Sequence, residues 1–246
     1  MKKIKTCLIS VFYKTNLDKI VALLKEQGVQ IYATGGTYDF IKDLDDSVKT
    51  IESLTTYPSI LGGRVKTLHP KVFGGILGRL QNEKDVEEMK QYEIPAFDLV
   101  IVDLYPFEET VKKTDDPAQI IEKIDIGGIS LIRAGAKNFN EVVIVPDSKY
   151  YLEFMELYKN QDGCTSIEDR KRFAKYAFAT SSHYDGMIYD WFAKDDDTSD
   201  LNIHIDSRSE LRYGENPHQK AAFYGNLDDV FEKLHGKDLS YNNLLD

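Results

Sequence analysis

The sequence predicts an α/β fold, with a doubly wound, mainly parallel sheet and flanking helices. Short apolar segments alternate with segments of helical spacing over the first 150 residues, which is the order that builds a parallel sheet covered by helices. Two apolar segments, 99–103 and 142–145, are continuous, as in strands that are covered on both faces. Glycine-bearing loops follow several of these strands, where an open α/β sheet forms its binding crevice.

The residue pattern of the N-terminal part predicts a strand, a helix, a second strand and a second helix, in this order. Residues 5–10 form a short apolar strand. The helix after it begins at Asn16 and ends at Gly28, because Asn is a good N-cap and Gly ends helices. A second strand over 30–34 leads through a Gly-Gly-Thr turn into another helix. Strands in this order are expected to lie parallel.

Further helices are predicted between and after the later strands. Segments 118–124 and 129–138 have helical spacing and complete the α/β unit. From Tyr150 onward the pattern is helical, first over 151–158 and then over 167–192. We expect these C-terminal helices to pack on the α/β unit.

Composition places a domain boundary late in the chain. The run 195–200 is acidic and polar and is the best linker in the sequence. We therefore predict one domain over 1–196, with its core over about 1–147, and a short extension over 197–246. Its part over 203–246 is too short to fold by itself, so we expect residues 203–246 to be poorly ordered or to borrow a partner surface.

Charge and composition exclude several classes of partner. The 246 residues carry a net charge of −10, which disfavours nucleic acid or an anionic membrane as the main partner. No apolar run approaches the roughly 20 residues of a membrane helix, and the start does not resemble a signal peptide. We expect a cytoplasmic protein. Cys7 and Cys164 have neither the number nor the spacing of a disulfide framework or a zinc site.

Two loops contain the residue types that bind phosphate. Thr34, Gly35, Gly36 and Thr37 place hydroxyls and flexible amides before a helix, where backbone N–H groups can approach an anion; an ordinary tight turn is the alternative. The segment 62–70, GGRVKTLHP, joins two cations, a hydroxyl and an imidazole. If this segment is extended, its Arg and Lys point the same way. For Lys66 the context favours function, whereas His69 alone is better explained by packing before a proline.

Three further residues could carry chemistry. Asp125 precedes Ile126 and a Gly-Gly pair, and Lys137 stands among small residues twelve positions later. A lysine in such surroundings has its pKa lowered by nearby cations or pairs with a carboxylate, although a surface lysine on an amphipathic helix is the alternative. Tyr105 directly follows a predicted strand, at the place of a strand-end catalytic group.

These motifs together resemble a known family. Their order and spacing are those of the bifunctional purine enzyme that joins AICAR transformylase to IMP cyclohydrolase, and the shared strings are Lys14, TGGT at 34–37, GGRVKTLHP at 62–70, LYPF at 104–107, IDIGG at 124–128 and AKN at 136–138. The string at 62–70 is the most specific of them. The resemblance implies a methylglyoxal-synthase-like fold for about the first 195 residues, which correspond to the cyclohydrolase.

The resemblance also implies an activity. A cyclohydrolase converts formylaminoimidazole-carboxamide ribotide (FAICAR) to inosine monophosphate (IMP) without a metal or cofactor. Residues 211–219 and 239–243 are similar to the opening of the transformylase domain, whose later Lys-His motif does not follow. We therefore expect no formyl transfer and no use of 10-formyltetrahydrofolate. Members of the family dimerise, so a homodimer is expected, with a nucleotide as the small-molecule partner.

Matching positions imply the site residues. The catalytic residues implied by the family are Lys66, Tyr105, Asp125 and Lys137. The residues implied to bind substrate are Ser10, Lys14, Thr34, Gly35, Gly36, Thr37, Arg64, Thr67, Ile126 and Gly127. Three positions in this part depart from the family. Phe12 and Thr34 stand where the family commonly has Ser, and Asp103 stands where it usually has Asn. Thr34 keeps the hydroxyl, whereas Phe12 and Asp103 change the contacts around phosphate and base.

Other functions are compatible with the predicted fold. A methylglyoxal synthase also binds a small phosphate ester but depends on carboxylates, and the string at 62–70 argues against it. A non-catalytic nucleotide sensor, like the regulatory domain of carbamoyl phosphate synthetase, would bind IMP without turnover. The combination of Lys66, Tyr105, Asp125 and Lys137 favours an enzyme. A protein-interaction fragment has no specific support.

Overall fold

The computed structural model describes residues 1–196, 203, 205, 208–226, 228, 232, 234–237 and 239–241. The chain divides into two compact units, Met1–Ile188 and Tyr189–Asp246. The predicted linker over 195–200 and the motif at 239–243 extend outside the described residues, and so does much of the predicted extension. The domain boundary after residue 196 therefore stays a prediction.

Helices and strands alternate in the first third of the chain. The elements are β1 (Lys2–Lys3), β2 (Thr6–Ser10), α1 (Leu17–Glu26), β3 (Gln30–Ala33), α2 (Gly35–Lys42), β4 (Lys49–Thr50) and α3 (Ile51–Thr55). Helix α1 follows Asn16 and is followed by Gly28 in the left-handed region, with φ of 67°. Both residues therefore mark the ends of this helix, although the side chain of Asn16 makes no capping hydrogen bond.

The remaining elements follow a 3₁₀ turn at Leu61–Gly63. In chain order they are α4 (Pro70–Leu77), α5 (Glu83–Gln91), β5 (Leu99–Val102), α6 (Phe107–Lys113), α7 (Pro117–Ile121), α8 (Gly127–Lys137), β6 (Val143–Val145), α9 (Tyr151–Asn160), β7 (Cys164–Thr165), α10 (Ile167–Phe192), β8 (Arg208–Glu210) and β9 (Ala222–Tyr224). The bounds of α10 are those predicted from the sequence.

Five strands form one parallel sheet in the order β4-β3-β2-β5-β6. The chain moves outward from β2 to β4, then returns to place β5 on the other side of β2. The order of the strands therefore reverses between β2 and β5, where open α/β sheets bind ligands at the carboxyl ends of the strands. The pairs β1-β7 and β8-β9 are small and antiparallel. The doubly wound α/β prediction is confirmed.

Successive residues of the strands pack alternately into two apolar layers, one on each face of the sheet. Cys7 and Ile9 of β2 pack on one face with α1 and α9. Leu8 packs on the other face with α4 and α8. All four residues of β5 are buried, as expected for a strand covered on both faces. Each fully buried aliphatic side chain stabilises the fold by about 1.5–3 kcal/mol relative to an exposed one.

The sequence patterns do not predict α3, α4, α5, α6 or the edge strand β4. Helix α5 buries only Met89, so it lacks the apolar stripe that marks an amphipathic helix. Strand β4 has two residues, which is too short for an alternating pattern. Within the described ranges, no helix is long and apolar enough to cross a membrane.

Helix α4 packs unusually close to the chain before β5. A Cβ on Gly75 would lie 2.8 Å from Cδ2 of Phe97 and would also meet the carbonyl of Pro95. A Cβ on Gly74 would lie 3.0 Å from Cδ1 of Ile94, the end of a side chain that can move. The backbone of Pro95 cannot move in this way.

We expect Gly75→Ala to lower the free energy of unfolding by about 1–3 kcal/mol, because overpacking outweighs the gain in helix propensity. The matched variant Gly74→Ala should change it by less than about 1 kcal/mol, since the contacting side chain can move. Urea unfolding of both variants measures the difference. Equal effects of the two substitutions would show that the close approach to Pro95 does not limit the size of the side chain at position 75.

Candidate active site

A cavity of about 620 Å³ opens at the carboxyl edge of the sheet, between β2 and β5. This is the size of pocket that takes a small ligand. It is lined by Ser10, Val11, Phe12, Lys14, Thr34, Gly36, Thr37, Gly62, Gly63, Arg64, Lys66, Thr67, Asp103, Tyr105, Ile121, Glu122, Ile124, Asp125, Ile126, Gly127 and Gly128. The cavity therefore brings together loops that lie far apart in the sequence.

Hydroxyl groups line one wall of the cavity. The hydroxyls of Ser10, at the end of β2, and Thr34, at the end of β3, lie 2.8 Å apart. Thr37 is buried, and its hydroxyl accepts from the N–H of Val11 and donates to the carbonyl of the same residue. Thr37 therefore holds the loop after β2 in place, and its hydroxyl is already satisfied by the backbone.

Two lysines lie near these hydroxyls. The Nζ of Lys14 donates to the carbonyls of Val11 at 2.5 Å and Phe12 at 3.0 Å. Burial lowers the pKa of Lys14, and the charge of Lys66 acts in the same direction. The Nζ of Lys66 lies 3.9 Å from where a Cβ on Gly35 would stand. Two like charges near one loop favour binding of an anion between them.

The segment before Lys66 is a tight turn rather than an extended strand. Leu61, Gly62 and Gly63 all have positive φ, of 54°, 67° and 92°, and Ile60 forms a bridge with Val65. The condition under which Arg64 and Lys66 would point the same way, an extended segment, is therefore not met. Glycines at two of these positions adopt the left-handed region without the steric cost of a side chain.

Arg64 and His69 have structural partners. Arg64 lines the cavity and forms an ion pair with Glu122, which lies just after α7. The Nδ1 of His69 accepts from the N–H of Lys71 at 3.1 Å and caps α4. His69 is absent from the cavity wall. His69 thus has a structural role at the start of α4, and its interpretation as a packed residue before a proline stays a prediction.

Asp125 lies beside the N-terminus of α8. Its Oδ1 accepts from the N–H of Gly128 at 2.6 Å, and the backbones of Tyr105 and Ile129 also act to lower the pKa of this carboxylate. Burial nevertheless raises the pKa of Asp125, against the opposing charge of Lys66. Glycine is required at 128, since a Cβ there would lie 2.8 Å from Oδ2 of Asp125.

Tyr105 stands directly after β5, at the mouth of the cavity. Its side chain is 38% exposed, and its ring meets the ring of Phe12 edge to face with centroids 5.8 Å apart. Burial and the charges of Asp125, Glu122 and Asp103 raise the pKa of Tyr105. The phenol is therefore protonated at neutral pH and can donate a hydrogen bond.

Asp103 joins the end of β5 to the loop after β2. Its two carboxylate oxygens accept from the N–H groups of Phe12 and Tyr13, the second at 2.9 Å. Burial raises the pKa of Asp103 to about 6, while the two N–H groups and Lys14 oppose the rise. This carboxylate therefore holds two neighbouring N–H groups of one loop.

The structure separates two residues from the rest of the predicted site. Lys137 is exposed at the last position of α8, whereas the cavity lies at the first turn of that helix. Ten helical steps place the two ends about 15 Å apart, so Lys137 does not reach the cavity. Gly35 begins α2 beside the cavity without lining it. Every other predicted site residue lines the cavity.

Sequence reasoning does not assign some residues that line the cavity. Glu122 binds Arg64, and Ile121 and Ile124 complete the wall after α7. Phe12 and Asp103 stand out in the sequence only as departures from the family. For Glu122, the sequence offers one signal of a place in the cavity, namely its short spacing from Asp125.

No group of three or more His, Cys, Asp or Glu side chains that could hold a metal ion occurs in the described part of the chain. The polar groups of the cavity are two lysines, the guanidinium of Arg64, hydroxyls, carboxylates and backbone N–H groups. This set of groups can bind an anion and can also move protons.

Two family models match the chain. The model of the MGS-like domain matches residues 16–130, and the model described as the AICARFT/IMPCHase bienzyme matches residues 135–246. The first match covers most of the loops that line the cavity. The second begins near the end of α8 and continues through the second unit.

Curated relatives resemble the whole chain. The bifunctional purine biosynthesis protein PurH of Bacteroides thetaiotaomicron is 54% identical over 245 residues, which is 100% of this chain and 48% of the relative. PurH of Aquifex aeolicus is 43% identical over 97% of this chain and 49% of the relative. The chain thus spans about half the length of the curated relatives it matches. The crystal structure of ForH is 35% identical with a TM-score of 0.68, covering 77% of this chain and 97% of ForH.

We expect the stability of the protein to depend on the titration of Asp103. Folding raises its pKa from 3.8 to about 6, so the folded state holds this proton more tightly than the unfolded chain. Relative to Asp103→Asn, the wild type should lose about 3 kcal/mol between about pH 4 and pH 7, and no more above it. Urea unfolding across this pH range measures the difference.

Asp85 provides a control of opposite sign. Arg79 lowers the pKa of Asp85 to about 2, so the wild type should lose stability relative to Asp85→Asn as the pH falls through that value. The effect is small because the pair is exposed. If the stability of the wild type relative to Asp103→Asn did not fall between about pH 4 and pH 7, Asp103 would not be an unfavourably buried carboxylate.

Proposed function

The chain belongs to the family of the bifunctional purine biosynthesis protein PurH, and we propose from this that its first unit is an IMP cyclohydrolase. It would close the ring of FAICAR to give IMP and water. The observation that carries the proposal is the cavity between β2 and β5, whose wall combines Lys14 and Lys66 with Tyr105 and Asp125. A phosphorylated substrate needs cationic groups that bind its phosphate, and a ring closure needs groups that move protons.

The hydroxyl and lysine side of the cavity suits the ribose phosphate. Ser10 and Thr34 offer hydroxyls 2.8 Å apart, and α2 begins directly after Thr34. Its first N–H groups and helix dipole favour an anion at this point. Lys14 and Lys66 add positive charge. The protein is acidic overall, and a local cationic site of this kind lets it bind an anion nevertheless.

In the proposed reaction the carboxamide nitrogen attacks the formyl carbon. A C–N bond forms and the formyl oxygen gains negative charge. The carboxamide nitrogen and the formamide nitrogen each lose one proton, and once two protons have reached the oxygen, the C–O bond breaks and water leaves. No electron is transferred, so we propose that no redox cofactor takes part. An amide nitrogen is a poor nucleophile, so holding the two groups close together supplies a large part of the rate.

Lys66 and the N-terminus of α8 can stabilise the developing oxyanion. The charge of Lys66 acts on Asp125, which sits at that N-terminus, so the lysine and the helix end face the same part of the cavity. Fixed positive groups at such a place contribute to the rate because they need no rearrangement during the reaction. Ile126 and Gly127 would hold the base.

Asp125 and Tyr105 are the groups proposed to move protons. Asp125 has a raised pKa, which makes its carboxylate a better base toward the amide nitrogen. Tyr105 keeps its proton at neutral pH and can donate to the leaving oxygen. Positioned acid and base groups of this kind contribute typically about 10²–10⁴-fold. Lys137 is not included in this scheme, because it lies at the far end of α8.

We propose to assay the conversion of FAICAR to IMP by ultraviolet absorbance, with formyl transfer to AICAR measured in parallel. Cyclisation supports the proposal. Binding of IMP by folded protein without any cyclisation would overturn it and favour a nucleotide sensor. Formation of methylglyoxal from a triose phosphate would favour a synthase, an activity to which the match to the MGS-like domain gives some weight.

We expect Lys66→Met to lower kcat/KM by about 10²–10³-fold, since the variant loses a charge near both the phosphate and the oxyanion. Lys84→Met is the matched control: this lysine is exposed on α5 and makes one ion pair with Glu88. Its kinetics should equal those of the wild type. A Lys66→Met enzyme with unchanged kinetics would remove Lys66 from the mechanism.

We expect Tyr105→Phe to lower kcat by about 10²-fold while KM changes little, because the phenol acts on the reacting oxygen and not on the phosphate. Steady-state kinetics at saturating FAICAR measure both constants. An increase in KM with unchanged kcat would make Tyr105 a binding residue only.

A further inference from the structure

The hydroxyl of Tyr105 lacks a hydrogen-bond partner among the residues that the structure describes. Its backbone is held by one hydrogen bond that the structure shows, since its carbonyl accepts from the N–H of Phe107 at 2.8 Å. The ring itself is 38% exposed. No hydrogen bond to the hydroxyl therefore fixes its direction. The direction depends instead on the residues that contact the ring.

Two side chains contact the ring from different elements. Phe12, on the loop after β2, meets it edge to face with the planes at 78°. The Nζ of Lys123, on the loop after α7, lies 5.9 Å from the centroid of Tyr105 and 5.9 Å from that of Phe12. The ammonium group therefore lies over both rings, which is the arrangement of a cation–π contact.

Both side chains are anchored through their backbones. Asp103 accepts from the N–H of Phe12. The carbonyl of Lys123 accepts from the hydroxyl of Tyr184 at 2.6 Å, and the same hydroxyl accepts from the N–H of Asp125. Tyr184 belongs to α10 and is mostly buried. The two anchors therefore connect Phe12 and Lys123 to buried residues of the fold.

We propose that Phe12 and Lys123 are positioning residues for Tyr105. Together they hold its ring so that its hydroxyl points into the cavity. The proposal rests on the proposed function in assigning the hydroxyl a part in ring closure. The position of the ring is a separate property and is measured separately below.

Fold stability alone does not explain this cluster. Phe12 is 45% exposed and Tyr105 38% exposed, so the two rings gain little from burial compared with the aromatic residues of the core. An edge-to-face pair and a cation–π contact instead have preferred geometries. These two contacts therefore restrict the direction of the Tyr105 ring, which burial alone does not restrict.

The kinetic test is a double-mutant cycle. Phe12→Leu should lower kcat about three- to tenfold and Lys123→Met about two- to fivefold, each with KM nearly unchanged. Phe12→Tyr and Lys123→Arg keep the contacts and should restore the rate. In the Tyr105→Phe background, where no hydroxyl remains to be placed, Phe12→Leu and Lys123→Met should have no further effect.

The outcome of the cycle separates two roles. If Phe12→Leu lowers kcat by the same factor in the wild type and in the Tyr105→Phe background, Phe12 acts on the substrate directly and the positioning role is wrong. Matched controls are Phe178→Leu and Lys42→Met. Phe178 is 45% exposed and lies under Arg133, and Lys42 lies over the ring of Tyr38. Both controls should retain the kcat of the wild type.

A measurement without substrate tests the position of the ring. The χ1 rotamer of Tyr105 is read by NMR from three-bond couplings in tyrosine-labelled protein, with its signal assigned by its loss in Tyr105→Phe. We expect one rotamer in the wild type and in both controls, and averaging over several in Phe12→Leu and Lys123→Met. A single rotamer in both variants would overturn the proposal. This result is obtained whether or not the protein cyclises FAICAR, so the two proposals can fail independently.

Discussion

The candidate site depends on one carboxylate that joins two strands at the reversal point of the sheet. Asp103 follows β5, and its oxygens accept from the N–H groups of Phe12 and Tyr13 in the loop after β2. Strand pairing ends before this loop begins, so these hydrogen bonds continue the contact between β2 and β5 beyond the sheet. The hydroxyls and Lys14 then lie on one side of the cavity and Tyr105 on the other.

This arrangement carries an electrostatic cost that the fold accommodates. Burial raises the pKa of both Asp103 and Asp125, because a carboxylate loses hydration when it is buried. Backbone N–H groups and the charges of Lys14 and Lys66 offset part of that cost. Three carboxylates and three cationic side chains, two of them lysines, thus line one cavity in a chain of net charge −10. A net charge says little about the charge of a particular pocket.

Single residues show how far motifs could predict the site. Lys66 and Asp125 lie where the motifs predict, because each belongs to a loop at the carboxyl edge of the sheet. Lys137 belongs to the same helix as Gly127, but the length of that helix separates it from the cavity. Phe12 stands out in the sequence as a departure from the family, yet its contacts with Tyr105 and Lys123 join three segments that are distant in the sequence. No local pattern could reveal them.

The sequence by itself determined the α/β class, the strands of the central sheet except its short edge strand, and the loops that follow them, because hydrophobic period and turn residues are local properties. It also determined the bounds of α10. Only the tertiary structure decided that β5 returns beside β2, that the segment 60–65 is a turn, and which ends of the helices face the cavity. These depend on pairing and packing between distant segments, and the energy of such contacts is absent from any short stretch of sequence.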